Sequence, residues 1–148
     1  ESDTVESRDH RPGINTLVER KTGLVFITKL SAKTGVATRT VIIKRLSCLP
    51  QHARRTITFD NGPENRDWVP VQSMTGAQCY FAHPYHSWER GTNENTNGLI
   101  RDYFPKGTDF STISDEEIAF VERELNERPR KRHGFKSPLE VWSGALQS

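Results

Sequence analysis

Short runs in which β-branched or aromatic residues alternate with polar ones are interleaved with longer segments of helical period. Residues 1–6 (ESDTVE) read as a first strand with Asp3 and Val5 on one face. Residues 7–13 (SRDHRPG) are a polar turn. Residues 14–19 and 24–30 flank Lys21-Thr22-Gly23 and predict a hairpin, which makes three antiparallel strands in all. In 36–49, Ala37, Val41, Ile42, Leu46 and Leu49 recur at helical spacing, so this helix packs one face on the sheet until Pro50 ends it. Residues 31–35 ahead of it have helix-start chemistry. Residues 56–59 (TITF) are a short buried strand, broken by Asp60-Asn61-Gly62. Residues 63–77 have the makings of a helix except for Pro70, which predicts a broken or late-starting one. Residues 78–81 form a fifth strand, and 88–103 a helix that begins beyond the turn at Pro84. Ser114, with Glu117 three residues on, opens a last helix whose buried stripe is Ile118, Val121 and Leu125.

The chain of 148 residues is the size of one domain, and 33% apolar content implies a thin core leaning on a central sheet. A net charge of +2 does not by itself mark a nucleic-acid binder. The distribution is less even: Arg128, Arg130, Lys131, Arg132 and Lys136 fall within nine positions of the segment RPRKRHGFKSPLEVW. Pro129 and Gly134 keep this stretch out of a helix, and Phe135 and Trp142 are expected to pin it to the core. It reads equally as a solvated loop or as one that faces phosphate. No run reaches membrane-spanning length and no signal-peptide pattern precedes the domain. The chain starts at Glu1 without a methionine, so it is expected to be a piece of a longer protein. Cys48 and Cys79 stand apart and read as reduced, buried small residues of a cytosolic protein. The five histidines make no zinc-type pairing with them; His83 and His86, bracketing Pro84-Tyr85, read as part of a polar loop at a sheet edge or as neighbours of the helix that follows.

Two features carry candidate chemistry. Asp60 sits at the C-terminal edge of a strand, where α/β sheets place ligands, although Asn61-Gly62 is also a favoured hairpin turn. On the helix over 88–103, Arg90, Glu94, Asn97 and Arg101 follow at offsets of 4, 3 and 4 and so share one side. A carboxylate between two guanidinium groups and a carboxamide suits the neighbourhood of a metal and a phosphodiester; a surface helix laced with ion pairs is the alternative. Thirty-three residues separate Asp60 from Glu94.

That spacing, with ESDTV at 1–5, TLVERKTG at 16–23, TITFDNG at 56–62, YFAHPYHSWERGTNENTNGLIR at 80–101, YFPKGTDF at 103–110 and NERPRKRHGFKSPLEVW at 126–142, resembles the catalytic core of bacterial insertion-sequence transposases of the IS-thirty family. These enzymes carry an Asp-Asp-Glu triad and belong to the retroviral-integrase-like superfamily. The resemblance runs through nearly the whole chain in order. It implies an α/β, ribonuclease-H-like fold with a mixed five-stranded sheet flanked by helices, residues 1–148 forming one integrase-like catalytic core. The helix-turn-helix region with which the family recognises element ends has no counterpart in these residues.

The resemblance further implies a magnesium-dependent polynucleotidyl transferase that nicks DNA at element ends and joins the freed 3′-hydroxyl to target DNA. Asp3, Asp60 and Glu94 would be the catalytic acids and the ligands of two Mg²⁺ ions, for which Mn²⁺ substitutes. Arg90, Asn97, Arg101, Lys106, Arg130, Lys131 and Arg132 would meet DNA, with Asn97 open to a second role as an orienter of Glu94 and to a third as a helix C-terminal cap with Gly98. Ser2 stands where the family normally has glycine, and residues 6–10 are polar where it is more apolar; Asp9, within a turn, is the substitute ligand if Asp3 is displaced. These departures motivate the alternative of a domesticated or inactive transposase-derived DNA-binding module. A ribonuclease-H-type hydrolase of RNA–DNA hybrids is a second alternative, against which the long block around Glu94 argues. DNA is the expected partner, with a homo-oligomer in keeping with the family, no membrane, and a cytoplasmic, nucleoid-associated setting in a bacterium.

Overall fold

A computed structural model describes residues 1–83 and 91–147. The first three strands, β1 (Ser2–Val5), β2 (Ile14–Val18) and β3 (Val25–Lys29), form an antiparallel sheet in that order. Asp3 lies opposite Thr16 in the β1–β2 register, and Val18 opposite Val25 in the β2–β3 register. The hairpin between β2 and β3 closes where expected: Gly23 takes a φ of 79°, a left-handed value that glycine adopts without steric cost.

Helix α1 (Gly35–Ser47) begins at Thr34, whose hydroxyl accepts the Ala37 N–H at 3.2 Å. Strand β4 (Thr56–Phe59) pairs in parallel with β5 (Gln78–Phe81). Between them, α2 (Val69–Thr75) starts late, with Pro70 in its first turn, where a missing N–H costs nothing, and ends on Gly76 at φ 75°. The remaining helices are α3 (Gly91–Tyr103), α4 (Asp115–Glu127) and α5 (Pro138–Leu146). Ser114 caps α4 by accepting the Glu117 N–H at 3.1 Å, and Ser137 with Glu140 makes a reciprocal capping box at α5.

Among the described residues the five strands fall into a three-stranded and a two-stranded sheet rather than one ladder. Strand β4 runs close to β1, but the two share no ladder among the described residues. Each side of the first sheet has its own core. Val5, Ile14, Val18, Val25 and Ile27 pack against Ile100 and Phe104 of α3 and its C-terminal flank and Ile118, Val121 and Leu125 of α4. Leu17, on the other face, joins Ile42, Ile57, Phe59, Val71 and Ala77. Strand β2 is therefore buried along its whole length, as a strand covered on both faces must be.

Two burial expectations are corrected. Cys48 is exposed, because it caps the end of α1, where its Sγ lies 3.4 Å from the Lys44 carbonyl. Phe135 is 70% exposed and does not pin the basic loop to the core. That loop is held instead by His133, whose Nε2 lies 2.8 Å from the Thr22 carbonyl. Among the described residues, no helix is long and apolar enough to cross a membrane.

Candidate active site

Asp3 and Asp60 line one cavity of about 480 Å³, together with Glu6, Lys33 and Glu64. The two aspartates come from neighbouring strands, Asp3 in the middle of β1 and Asp60 immediately after β4. Strand alternation sends Asp3 and Val5 to the face covered by α3. There the Asn97 Nδ2 donates to Asp3 Oδ2 at 2.9 Å, while Asp3 Oδ1 accepts the Thr4 N–H at 2.9 Å. Behind this pair, the buried Thr16 hydroxyl lies 3.5 Å from both Asn97 Oδ1 and Asn93 Oδ1. Helix α3 thus turns a polar stripe, not an apolar one, toward this end of the sheet.

Ser2, at the position where the sequence departs from the family, is 2% exposed and accepts from Asn15 Nδ2 at 3.2 Å. Its hydroxyl is absorbed by the sheet, and β1 keeps its full register with β2. Asp9 lies outside the cavity, exposed and paired with Arg8 at 3.3 Å.

Asp60 is held from its C-terminal side. Its Oδ1 accepts the Gly62 N–H at 3.0 Å and the Asn65 Nδ2 at 2.7 Å, and Asn65 also reaches the Asp60 carbonyl at 3.4 Å. Asn65 is only 8% exposed at the end of a one-turn 3₁₀ segment, Pro63–Asn65. Its role was missed in the sequence. The readable signal was the run D-N-G-P-E-N, in which a turn folds back so that a second amide can reach the aspartate.

Glu94 is exposed in the first turn of α3, one turn ahead of Asn97. It does not line the cavity shared by the two aspartates. Among the described residues, no three acidic, histidine or cysteine side chains gather closely enough to form a ready ligand cluster. The structure brings Asp3 and Asp60 together and leaves Glu94 beside the helix face that fastens Asp3.

Of the residues expected to meet DNA, Arg90 falls outside the described residues, as does His86. Arg101 is committed within the chain: its guanidinium donates to the Phe104 and Pro105 carbonyls at 3.3 Å each and to the Glu6 carbonyl at 3.1 Å, tying the end of α3 to the end of β1. Asn97 is not a helix cap, since α3 runs on to Tyr103. It orients Asp3 rather than Glu94. Lys106 is exposed in the turn after α3, and Lys131 and Arg132 are exposed in the loop after α4. Arg130 is half-buried; burial, reinforced by Arg128 and Arg132, moves its guanidinium below the usual arginine range.

Two aspartates lining one cavity suit a hard divalent cation, because magnesium takes one or two protein carboxylates and fills its remaining positions with water and substrate phosphate. Oxygen donors predominate at this site, and neither cysteine lies there.

The fold is that of a retroviral-integrase catalytic core. The chain superposes on the BIV integrase catalytic core domain with a TM-score of 0.72 at 18% identity, covering 99% of this chain and 93% of that one. It likewise matches a chain of the simian T-cell lymphotropic virus intasome complexed with the PP2A regulatory subunit B56 gamma, with a TM-score of 0.73 at 18% identity, over 95% of this chain and 51% of the other. In sequence it is 43% identical over 140 residues to the transposase of insertion sequence element IS4351 from Bacteroides fragilis, covering 95% of this chain and 43% of the relative. It is 41% identical over 128 residues to the transposase InsI of IS30A from Escherichia coli K12, covering 86% of this chain and 33% of the relative. No family model matches. Over this stretch the chain is similar in sequence to insertion-sequence transposases, those of IS4351, IS1086 and IS30 among them. It spans less than half the length of these curated relatives.

Proposed function

We propose that this chain is the catalytic core of a DNA transposase, a metal-dependent polynucleotidyl transferase that cuts DNA at element ends and joins the freed 3′-hydroxyl to target DNA. The observation that carries the reading is that Asp3 and Asp60, from separate strands, line one cavity, with Asp3 fastened to the helix that bears Glu94.

Asp3 and Asp60 would hold two Mg²⁺ ions, or Mn²⁺ in their place, with Glu94 as the third carboxylate. Such a pair of ions supplies an activated water or 3′-hydroxyl and stabilises the leaving oxygen. The protein's own part is positional. Asn97 and the Thr4 N–H fix one carboxylate, and Asn65 and the Gly62 N–H fix the other, so neither needs reorganising when the substrate phosphate arrives. Arg90, Lys106, Arg130, Lys131 and Arg132 would contact the DNA backbone, and Arg101 would brace the acidic end of the sheet while presenting charge to a nearby phosphate. In the working state β4 would close on β1 to complete a five-stranded ribonuclease-H-like sheet, the whole chain acting as one catalytic domain. The setting proposed is the bacterial cytoplasm, associated with the nucleoid, with assembly into a homo-oligomer on paired DNA ends.

The test is a nicking and strand-transfer assay on oligonucleotide duplexes carrying element ends, run with Mg²⁺ and with Mn²⁺. Asp60→Asn and Glu94→Gln should each abolish both reactions while duplex binding is retained. Undiminished activity in either variant would remove that residue from the site, and in both would overturn the reading.

A further inference from the structure

The loop after α4 places an aromatic ring where the backbone resists one. It closes on itself through the Arg130 N–H to the Lys136 carbonyl at 3.0 Å and the Phe135 N–H to the Arg130 carbonyl at 2.9 Å. This closure forces Gly134 to a φ of 62° and Phe135 to a φ of 68°. Glycine accepts such a value; a bulky L-residue pays for it in contacts between Cβ and the following carbonyl. Burial does not offset that cost, since Phe135 is 70% exposed. The ring therefore gains little inside the chain, and strain kept at an exposed position points to a use outside it.

Its surroundings define that use. Lys131, Arg132 and Lys136, on the same loop, are exposed. The loop stands on a firm foot, with His133 against the Thr22 carbonyl, Arg130 donating to the Leu125 carbonyl at 3.3 Å, and the Ser137 capping box fixing its exit. Beside that foot, Arg130 and Arg132 line a cavity of about 290 Å³ against Gly91, Thr92 and Asn95 of α3. The Arg130 Nε is buried without a hydrogen-bond partner among the described residues. Cationic groups that follow a phosphate backbone, next to a flat ring that any base can stack upon, are the two parts of a nucleic-acid platform.

We propose that Phe135 is a nucleobase-contacting residue, its ring stacking on an unpaired base or entering a base step while Arg132, Lys131 and Lys136 engage the flanking phosphates. The inference rests on DNA being the partner, as argued above. A preformed loop suits this task, because the ring is held out before DNA arrives and little ordering remains to be done on binding.

The probe is a fluorescein-labelled duplex with a single-stranded overhang carrying 2-aminopurine, titrated into the full chain. Phe135→Ala should weaken binding by about 5- to 150-fold and abolish the change in 2-aminopurine fluorescence, whereas Phe135→Trp should retain both. The salt dependence of binding should be unchanged in Phe135→Ala and reduced by about one unit of slope in Arg132→Ala. Phe135→Gly separates the role from a structural one: relief of the backbone should raise the melting temperature by about 2–4 °C while DNA binding falls. Equal affinity and equal fluorescence response in wild type and Phe135→Ala would overturn the proposal while leaving the DNA reading intact. A change in sedimenting mass with unchanged DNA affinity would overturn it as well and assign the ring to a contact between copies. Absence of DNA binding by the wild-type chain would defeat the DNA reading and this inference together.

Discussion

The Nδ2 of Asn97 donates to the Oδ2 of Asp3 at 2.9 Å, joining a helix and a strand 94 positions apart. The bond fixes the first aspartate of the site and also fixes the rotation of α3 over the sheet. Because Asn93, one turn earlier, is fully buried against Thr16, the same helical stripe carries both polar contacts. Glu94 follows Asn93 directly, so its position around the helix is set by its neighbours' attachment to β1 and β2. Glu94 is thus referred to Asp3 through the backbone of α3.

Replacing Asn97 should therefore act through Asp3. Asn97→Ala is expected to lower Mn²⁺ affinity, measured by calorimetry, by about 10- to 100-fold, the usual cost of losing a group that orients a metal-ligating side chain. Duplex binding without metal should change little in the alanine variant.

Asn65 holds the other aspartate. Asn65→Ala removes the 2.7 Å donor to Asp60 Oδ1 and is expected to reduce Mn²⁺ affinity by about 10-fold. Loss of a hydrogen bond to a half-buried carboxylate should cost about 1–2 kcal/mol of stability as well, read from the urea midpoint. An unchanged metal affinity would leave Asn65 with a purely structural task.

Much of this architecture is legible in the sequence because local and tertiary signals agree. The hairpin at Thr22-Gly23, the Ser114 cap and the stripe of Ile118, Val121 and Leu125 each follow from chemistry within a few residues. Pro70 likewise announced a late helix start and stands in the first turn of α2. Helix α5 was overlooked because its basic approach reads as a tail, although Ser137-Pro138-Leu139-Glu140 contains a complete capping box. What the sequence withholds is partner choice across distance. No local rule says that Asn97 will reach Asp3, that Arg101 will brace Glu6, or that Phe135 will face outward; those outcomes depend on how α3 and the loop after α4 sit on the sheet.

The two cysteines should differ sharply in reactivity. Burial pushes the Cys79 thiol up to about 11, while Cys48 is exposed at the end of α1. Since the thiolate is the nucleophile, Ellman's reagent near neutral pH should modify Cys48 first and Cys79 much later. Cys48→Ser should abolish the fast phase, and Cys79→Ser the slow one. Equal rates at the two positions would contradict the described packing of β5.

Stability should also fall in acid through a specific group. Burial alone would raise the Glu19 carboxyl, but the Thr22 hydroxyl and the Lys21 and Thr22 N–H groups outweigh it and hold it below its ordinary value. With the folded pKa beneath the unfolded one, the folded state favours the ionised form. Its contribution is present above the unfolded pKa and is lost as pH falls through the folded pKa. Thr22→Val removes the 2.6 Å hydroxyl bond to Glu19 Oε2, so the acid unfolding midpoint should move to higher pH. A proton-detected titration of Glu19 should show its pKa rising in the same variant.

Strand β3 is an edge strand, and α4 closes part of that edge with side chains. Asn126 accepts the Val25 N–H through Oδ1 at 2.8 Å and donates through Nδ2 to the Val25 carbonyl at 2.8 Å, so one carboxamide replaces a missing strand at that residue. Two positions along, Glu122 Oε1 accepts the Ile27 N–H at 2.7 Å and pairs with Arg45 of α1 at 2.5 Å. Asn126→Ala would strand two buried backbone groups of Val25, at an expected cost of about 2–4 kcal/mol. Asn126→Leu preserves much of the volume and should cost nearly as much, because the loss is in hydrogen bonding and not in packing. Both variants should also aggregate more readily on heating, since the uncovered edge can pair with another chain. Glu122→Gln keeps an acceptor for Ile27 and gives up only the ion pair with Arg45, so it should lose about 1 kcal/mol or less. Urea midpoints for the three variants distinguish an edge sealed by side-chain hydrogen bonds from one merely covered by a helix: in the second case, Asn126→Leu would be close to neutral.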